Sequence, residues 1–215
     1  MPVDPPRFGT VRVGLPYVGG LAAAALPLWC WRPRAGLAAL AAASACGLFF
    51  RDPVRRLHAD PNLLYAPADG TVIGIDRVER PWFLERPAWR ISVFLSVFDV
   101  HVNRCPSRGR IVALRDLDGG FAPALDFRRS HANRRREIAI ESSQGPFLVV
   151  QVAGLLARRI VGWVGPGDSI AAGQKLGMIT FGSRTDLLVP VDAGEPRMAK
   201  GRHVTGGQTP VARWL

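Results

Sequence analysis

The sequence predicts a mainly β domain, a flattened sandwich of short strands, preceded by an apolar helical hairpin. Two uncharged apolar runs within the first 50 residues predict the hairpin. Short Val- and Ile-rich stretches bounded by Gly, Pro, Asp and Asn predict the strands that follow. Beyond Phe50 no long segment repeats with a 3.6-residue period, apart from one turn's worth near Leu155. With 215 residues, 48% of them hydrophobic and 21% charged, the chain is too apolar to be disordered and long enough to bury a substantial core.

The first run, residues 13–31, has the length of a membrane span but holds Pro16 and Pro27. Arg32-Pro33-Arg34 interrupts it. The second, residues 35–50, would be about 24 Å long as a helix, short of a hydrocarbon core of about 30 Å. Trp29, Trp31, Phe49 and Phe50 stand at the ends of the runs, where interfacial aromatics belong. Residues 1–50 are therefore expected to anchor the chain in a membrane, spanning or re-entrant, with a soluble hairpin packed on the main domain as the alternative. Arg7 and Arg12 precede the runs, and Arg51, Arg55 and Arg56 follow them. Against two arginines in the turn, this places both ends, and the domain that follows, on the cytoplasmic side of the cell membrane.

Residues 51–215 are expected to form the β domain. Strand-like stretches fall at 70–78, 90–102, 110–114, 137–142, 147–164, 175–181 and 186–191. Residues 116–136 show neither period and read as a long exposed loop with a basic end, the kind of segment that carries function. Residues 167–174 recur as residues 201–208 in the pattern Gly-x-x-(Ile/Val)-x-x-Gly-Gln, as two equivalent tight turns would need. The pattern resembles the turn of biotinyl/lipoyl-type domains, whose fold is a flattened β-sandwich or barrel-sandwich hybrid. It supports the β architecture rather than a carrier function.

Lys+Arg number 28 against 17 Asp+Glu, a net charge of +11, and only Lys175 and Lys200 are lysines. The partner is therefore expected to be anionic. The arginine-rich stretch 128–136 has no interleaved aromatics and matches no nucleic-acid module, so a membrane or a phosphate explains the charge and nucleic acid does not. Cys30, Cys46 and Cys105 have neither disulfide nor zinc spacing, and no metal site is expected.

Three places could carry chemistry. His101 ends an apolar stretch, and alternation there puts Asp99, His101 and Asn103 on one face. A histidine beside carboxylates suits proton transfer, although a strand-end histidine held only by hydrogen bonds fits the same pattern. Asp69 lies in Ala66-Pro-Ala-Asp-Gly70, which alone reads as a turn. Gly182-Ser183 lies between two strand-like stretches, where a glycine permits unusual backbone dihedrals and a serine hydroxyl can attack the carbonyl before it. His131 and His203 are expected to face solvent, and His58 to lie beside the membrane. No nucleophile elbow, phosphate loop, dinucleotide fingerprint or zinc-protease motif occurs.

Five motifs in order, Phe49-Phe-Arg-Asp-Pro53, Ala66-Pro-Ala-Asp-Gly70, Phe98-Asp-Val-His-Val-Asn-Arg-Cys-Pro106, Gln151-Val-Ala-Gly-Leu-Leu-Ala-Arg-Arg-Ile160 and Phe181-Gly-Ser-Arg-Thr-Asp186, resemble the short, archaeal and bacterial form of the phosphatidylserine decarboxylase family. The resemblance implies a proenzyme that cuts itself between Gly182 and Ser183, leaving a β chain (1–182) and an α chain (183–215) that stay together. Ser183 becomes a pyruvoyl cofactor, which binds the substrate amine as a Schiff base while phosphatidylserine loses CO2 to give phosphatidylethanolamine. His101 with Asp69 is the expected base. Arg104 and Arg184 are candidate holders of the lipid phosphate or carboxylate. Longer members read D-Y-H-R-V-H where this chain has a single histidine, with Arg104 in place of the second. His101 is thus expected to serve self-cleavage, decarboxylation or both. Homo-oligomerisation is left open.

Two other classes account for parts of the sequence. A non-catalytic membrane-anchored β module explains the anchor and the charge. A lipoyl- or biotinyl-type carrier explains the turns, but neither Lys175 nor Lys200 has the flanks of a modified lysine.

Overall fold

The computed structural model describes residues 9–155, 159–180 and 182–215, apart from the side chain of Arg128. Arg7, Phe181 and residues 156–158 of the fourth motif lie outside the described residues. The chain divides into two compact units that meet in sequence at Pro53 and Val54.

The first unit is a pair of helices, α1 (Gly9–Trp31) and α2 (Pro33–Phe49), joined at Arg32. α1 runs unbroken through Pro16 and Pro27, each of which removes one backbone donor. At 23 residues it is about 35 Å long, and it is long and apolar enough to cross a membrane; α2 is the shorter apolar helix. The helices approach closely where Gly36 lies against the Trp29 backbone: a Cβ there would stand 2.7 Å from the Trp29 Cα. Gly14 makes room in the same way for the ring of Phe50, which stacks on Tyr17 at 5.8 Å. Leu26, Trp31 and Leu48 remain more than 60% exposed within the unit, so its apolar residues face outward rather than into a core.

The second unit is mainly β. In chain order its elements are β1 (Leu63–Tyr65), β2 (Gly70–Val78), β3 (Ala88–Leu95), β4 (Val102–Arg104), β5 (Gly109–Leu117), α3 (Phe127–Ser130), β6 (Arg135–Ser142) and β7 (Gly145–Val152). There follow β8 (Ile160–Gly162), β9 (Ser169–Ile170), β10 (Lys175–Ile179), β11 (Ser183–Pro190), β12 (Gly194–Pro196), β13 (His203–Val204) and β14 (Pro210–Trp214). An eight-stranded antiparallel sheet, ordered β13-β2-β3-β11-β7-β6-β5-β9, curls into a half-barrel. Two three-stranded sheets, β1-β14-β12 and β4-β10-β8, complete the unit.

Strand alternation divides the apolar residues between the two faces of the large sheet. Phe147, Val149, Leu187 and Val189 enter the main core with Ile91 and Trp214. Leu148, Val150, Val152 and Leu188 form a smaller cluster on the other face.

The internal repeat is a structural one. Gly167, Gly173, Gly201 and Gly207 all take left-handed φ, between +71° and +95°, a region that a side chain would disfavour. The repeated turns carry β9 and β13, the two edge strands of the eight-stranded sheet. A Cβ on Gly207 would stand 3.2 Å from the Gly173 Cα, so the curl brings the two edges together at these glycines.

Three expectations are corrected. Residues 90–102 are not one strand: β3 ends at Leu95, a turn follows at residues 96–99, and β4 belongs to another sheet. The stretch 147–164 likewise divides into β7 and β8. Residues 116–136 are not simply an exposed loop. β5 and β6 extend into both ends, and Asn133, buried, bonds both the N–H and the C=O of Ala122 at 2.8 Å and the Ala153 carbonyl at 2.7 Å.

Candidate active site

β11 is an inner strand of the large sheet, hydrogen-bonded to β3 on one side and β7 on the other. Ser183 opens it, opposite Leu95, and is fully buried. Gly182 precedes it with φ +63°, the left-handed turn that leads the chain into the strand. Just past the end of β7, Gly154 backs directly onto this peptide: a Cβ on Gly154 would stand 1.7 Å from the Gly182 carbonyl oxygen. Only a residue without a side chain leaves room for that oxygen.

The Ser183 Oγ is buried and has no hydrogen-bond partner among the described residues. Such a hydroxyl costs about 1–3 kcal/mol, and an unsatisfied group of this kind in a folded protein calls for a functional account.

Alternation along β11 puts Ser183 and Thr185 on one face, and β4 lies across it. Asn103 Nδ2 donates to Thr185 Oγ1 at 2.9 Å, and Gln151 Nε2 donates to Asn103 Oδ1 at 2.6 Å, all of it buried. This three-residue network ties β4 to β11 and β7. His101 stands one alternation before Asn103 and is fully buried. Its Nδ1 lies 2.9 Å from the Asp99 carbonyl oxygen, which can only accept. When the ring is neutral, this contact puts its proton on Nδ1 and its lone pair on Nε2.

Asp99 does not share the strand face of His101 as alternation alone predicts. It closes the 96–99 turn, taking the Ser96 N–H and Oγ–H on Oδ2 at 2.8 and 2.7 Å and His203 Nε2 at 3.0 Å on Oδ1. Burial pushes its carboxyl up, but the Ser96 donors and His203 outweigh that and hold it below the usual aspartate range.

Asp69 is 8% exposed at the entry to β2, at the same end of the sheet as Ser183. Both its oxygens are held by the Arg55 fork at 2.5 Å, and Oδ1 also accepts the Gly206 N–H at 2.8 Å. The structure pairs Asp69 with Arg55. Arg104 is also buried. Its backbone N–H bonds the Pro67 carbonyl at 2.8 Å, and its Nη1 bonds the Gly173 carbonyl at 3.1 Å. Arg184 turns to the face opposite Ser183, where its Nη1 bonds Ser130 Oγ at 2.7 Å and its Nε meets Asp186 at 2.9 Å. Its guanidinium lies 4.7 Å from the Phe127 ring centre and borders a cavity of about 350 Å³ shared with Arg90, Arg115 and Arg135.

Sequence reasoning missed Arg55, Gly154 and Asn133. Each acts through a contact between distant segments, and only Gly154, inside the fourth motif, carried a visible signal.

The model of the phosphatidylserine decarboxylase family matches residues 43–212. The chain belongs to the phosphatidylserine decarboxylase family. It is similar to the phosphatidylserine decarboxylase proenzyme of Carboxydothermus hydrogenoformans, 43% identical over 165 residues, 77% of this chain and 78% of the relative. It is also similar to the proenzyme of that name from Beijerinckia indica subsp. indica, 41% identical over 203 residues, 93% of this chain and 87% of the relative. A member of the phosphatidylserine decarboxylase family is a decarboxylase of phospholipid biosynthesis. That sets aside both the carrier domain and the non-catalytic β module.

Proposed function

We propose that this chain decarboxylates phosphatidylserine to phosphatidylethanolamine with a pyruvoyl group made from its own Ser183. The observation that carries the reading is the buried Ser183 Oγ, without a hydrogen-bond partner among the described residues, next to a Gly182 carbonyl wedged on Gly154.

In self-cleavage, His101 Nε2 takes the Oγ proton and Oγ attacks the Gly182 carbonyl carbon. The peptide C–N bond breaks and an ester forms, with the proton delivered to the freed nitrogen. Loss of the Ser183 α-proton expels the Gly182 carboxylate by β-elimination, leaving dehydroalanine. Water then replaces its nitrogen, ammonia departs, and residues 183–215 begin with a pyruvoyl group. That group fits the site: it needs a serine at a chain break and no further ligand set, and Ser183 is already buried behind a left-handed glycine.

The pyruvoyl group supplies a carbonyl that takes up the substrate amine and accepts the electrons released with CO2. The chain's own part is to exclude water and move protons. His101, held through Nδ1 by the Asp99 carbonyl, is the acid that returns a proton to the substrate carbon. Asp69, paired with Arg55, holds the neighbouring turn and the Gly206 segment in place. Arg104 and Arg184 remain candidates for the phosphate or carboxylate. Arg184 can reach a ligand only from the far face of the sheet. α1 anchors the chain in the cell membrane, with the catalytic unit on the cytoplasmic side, and the two cleaved chains stay together.

The test is an intact-mass spectrum of the full chain, before and after borohydride reduction in the presence of an amine. Two chains dividing before residue 183, the smaller one trapped at its N-terminus, are expected, and Ser183→Ala stays whole. An uncut wild-type chain, or a cut Ser183→Ala chain, overturns the assignment.

A further inference from the structure

The catalytic unit exposes few large apolar side chains, and most of them gather at one place. Among the described residues from 54 onward, six are exposed: Val54, Val97, Phe98, Leu125, Leu155 and Leu215. Single exposed apolar residues are ordinary on a protein surface. Here four of the six lie on three separate segments that converge on the Gly182–Ser183 peptide.

Val97 and Phe98, 43% and 83% exposed, form the tip of the turn that follows Leu95, the residue opposite Ser183. Leu155, 59% exposed, directly follows Gly154, which touches the Gly182 carbonyl. Leu125, 53% exposed, follows Ala124, whose carbonyl accepts a bond from Arg184 and whose methyl lies 3.5 Å from a Cβ placed on Gly154.

Basic residues stand behind these tips. Arg129 is exposed on α3, and its N–H donates to Asp126 Oδ1 at 3.2 Å. Arg159 is exposed where its carbonyl accepts the Thr180 N–H, two residues before Gly182. Arg202 is exposed beside His203, which meets Asp99 in the turn that carries Phe98. Apolar tips backed by arginine are the pattern of a surface that sinks its tips into the acyl boundary and sets its charges among anionic headgroups.

We infer that this end of the catalytic unit docks on an anionic bilayer through Val97, Phe98, Leu125 and Leu155, so that a lipid headgroup passes from the membrane to Ser183 without crossing water. The inference rests on the proposed site at Ser183, and the bilayer is the occupant because the family's substrate is a membrane lipid. The contact is separate from attachment by α1. The helix keeps the chain at the membrane, whereas the rim turns the site towards it.

The test compares the full-length, processed protein on two forms of the same substrate: vesicles containing phosphatidylserine, and dihexanoyl-phosphatidylserine below its micelle concentration. Phe98→Asp with Leu155→Asp is expected to lower the rate on vesicles at least tenfold and to leave the rate on monomers within twofold. Phe98→Trp is expected to keep both rates. Extent of processing, read by intact mass, shows that the variants fold. Equal loss on both forms would make the rim part of the site itself, and no loss on either would leave the bilayer unbound there; both overturn the inference. A wild-type chain silent on both forms overturns the decarboxylase site instead.

Discussion

A methyl group at position 154 has nowhere to go. It would overlap the Gly182 carbonyl oxygen at 1.7 Å, and the atom in the way is backbone. A methyl on Gly182 meets nothing within 4 Å and costs only the left-handed φ, about 1–2 kcal/mol. Gly154→Ala should therefore slow the proposed self-cleavage the more of the two, by ~100-fold, because moving the Gly182 carbonyl by about an ångström would spoil the approach of Ser183. A time course of intact masses reads this, and a Gly182→Ala chain slower than Gly154→Ala would refute the wedge. Gly182, Ser183, His101 and Asp69, the residues of the proposed site, stand out in the sequence because each sits in a short motif of its own. Arg55 was not: it bonds the Gly206 carbonyl across 151 positions of chain, and an arginine just after an apolar run reads first as a membrane flank.

Among the elements, the turn between β3 and β4 does the most for the proposed site, since its Asp99 carbonyl lies 2.9 Å from His101 Nδ1 and accepts from it. Alternation was the wrong rule there. Ser96 and Asp99, three residues apart, form a side-chain-closed turn, and a pattern of β residues running through it hid the break. Because the folded protein holds the Asp99 carboxyl below its usual range, its contribution is present above the ordinary aspartate pKa and is lost as pH falls through the lowered value. Asp99→Asn should cost about 1 kcal/mol near neutrality. The difference in Tm between variant and wild type should close as the pH drops below about 4. A gap that persists unchanged in acid would show that the turn does not depend on that charge. The long strands were legible because Val and Ile mark them. β1, β9, β12 and β13, at two or three residues each, are held by their neighbours rather than by their own composition.

At the scale of the molecule, the sequence suggests an apolar helical segment over residues 1–50 and a β unit over 51–215, and the two compact units of the structure meet in sequence at residues 53 and 54. It also offered the repeat, whose two copies turn out to close opposite edges of one sheet. What it could not offer was strand order. β11, late in the chain, lies between β3 and β7, so the bond before Ser183 stands at the mouth of an inner strand. Residues 183–215 supply β11 and β13 to the large sheet and β12 and β14 to a small one. A break at that bond turns a folding problem into an assembly problem: what one chain does by closing loops, two must do by finding each other in solution. The fold would then be built once, before the cut, and kept afterwards by its barrier to unfolding rather than by its ability to re-form. Processed protein unfolded in guanidinium and diluted should recover its β-sheet spectrum in much lower yield than uncut Ser183→Ala, and equal recovery would show that the shorter chain can find its place unaided. Age, in such a molecule, runs one way.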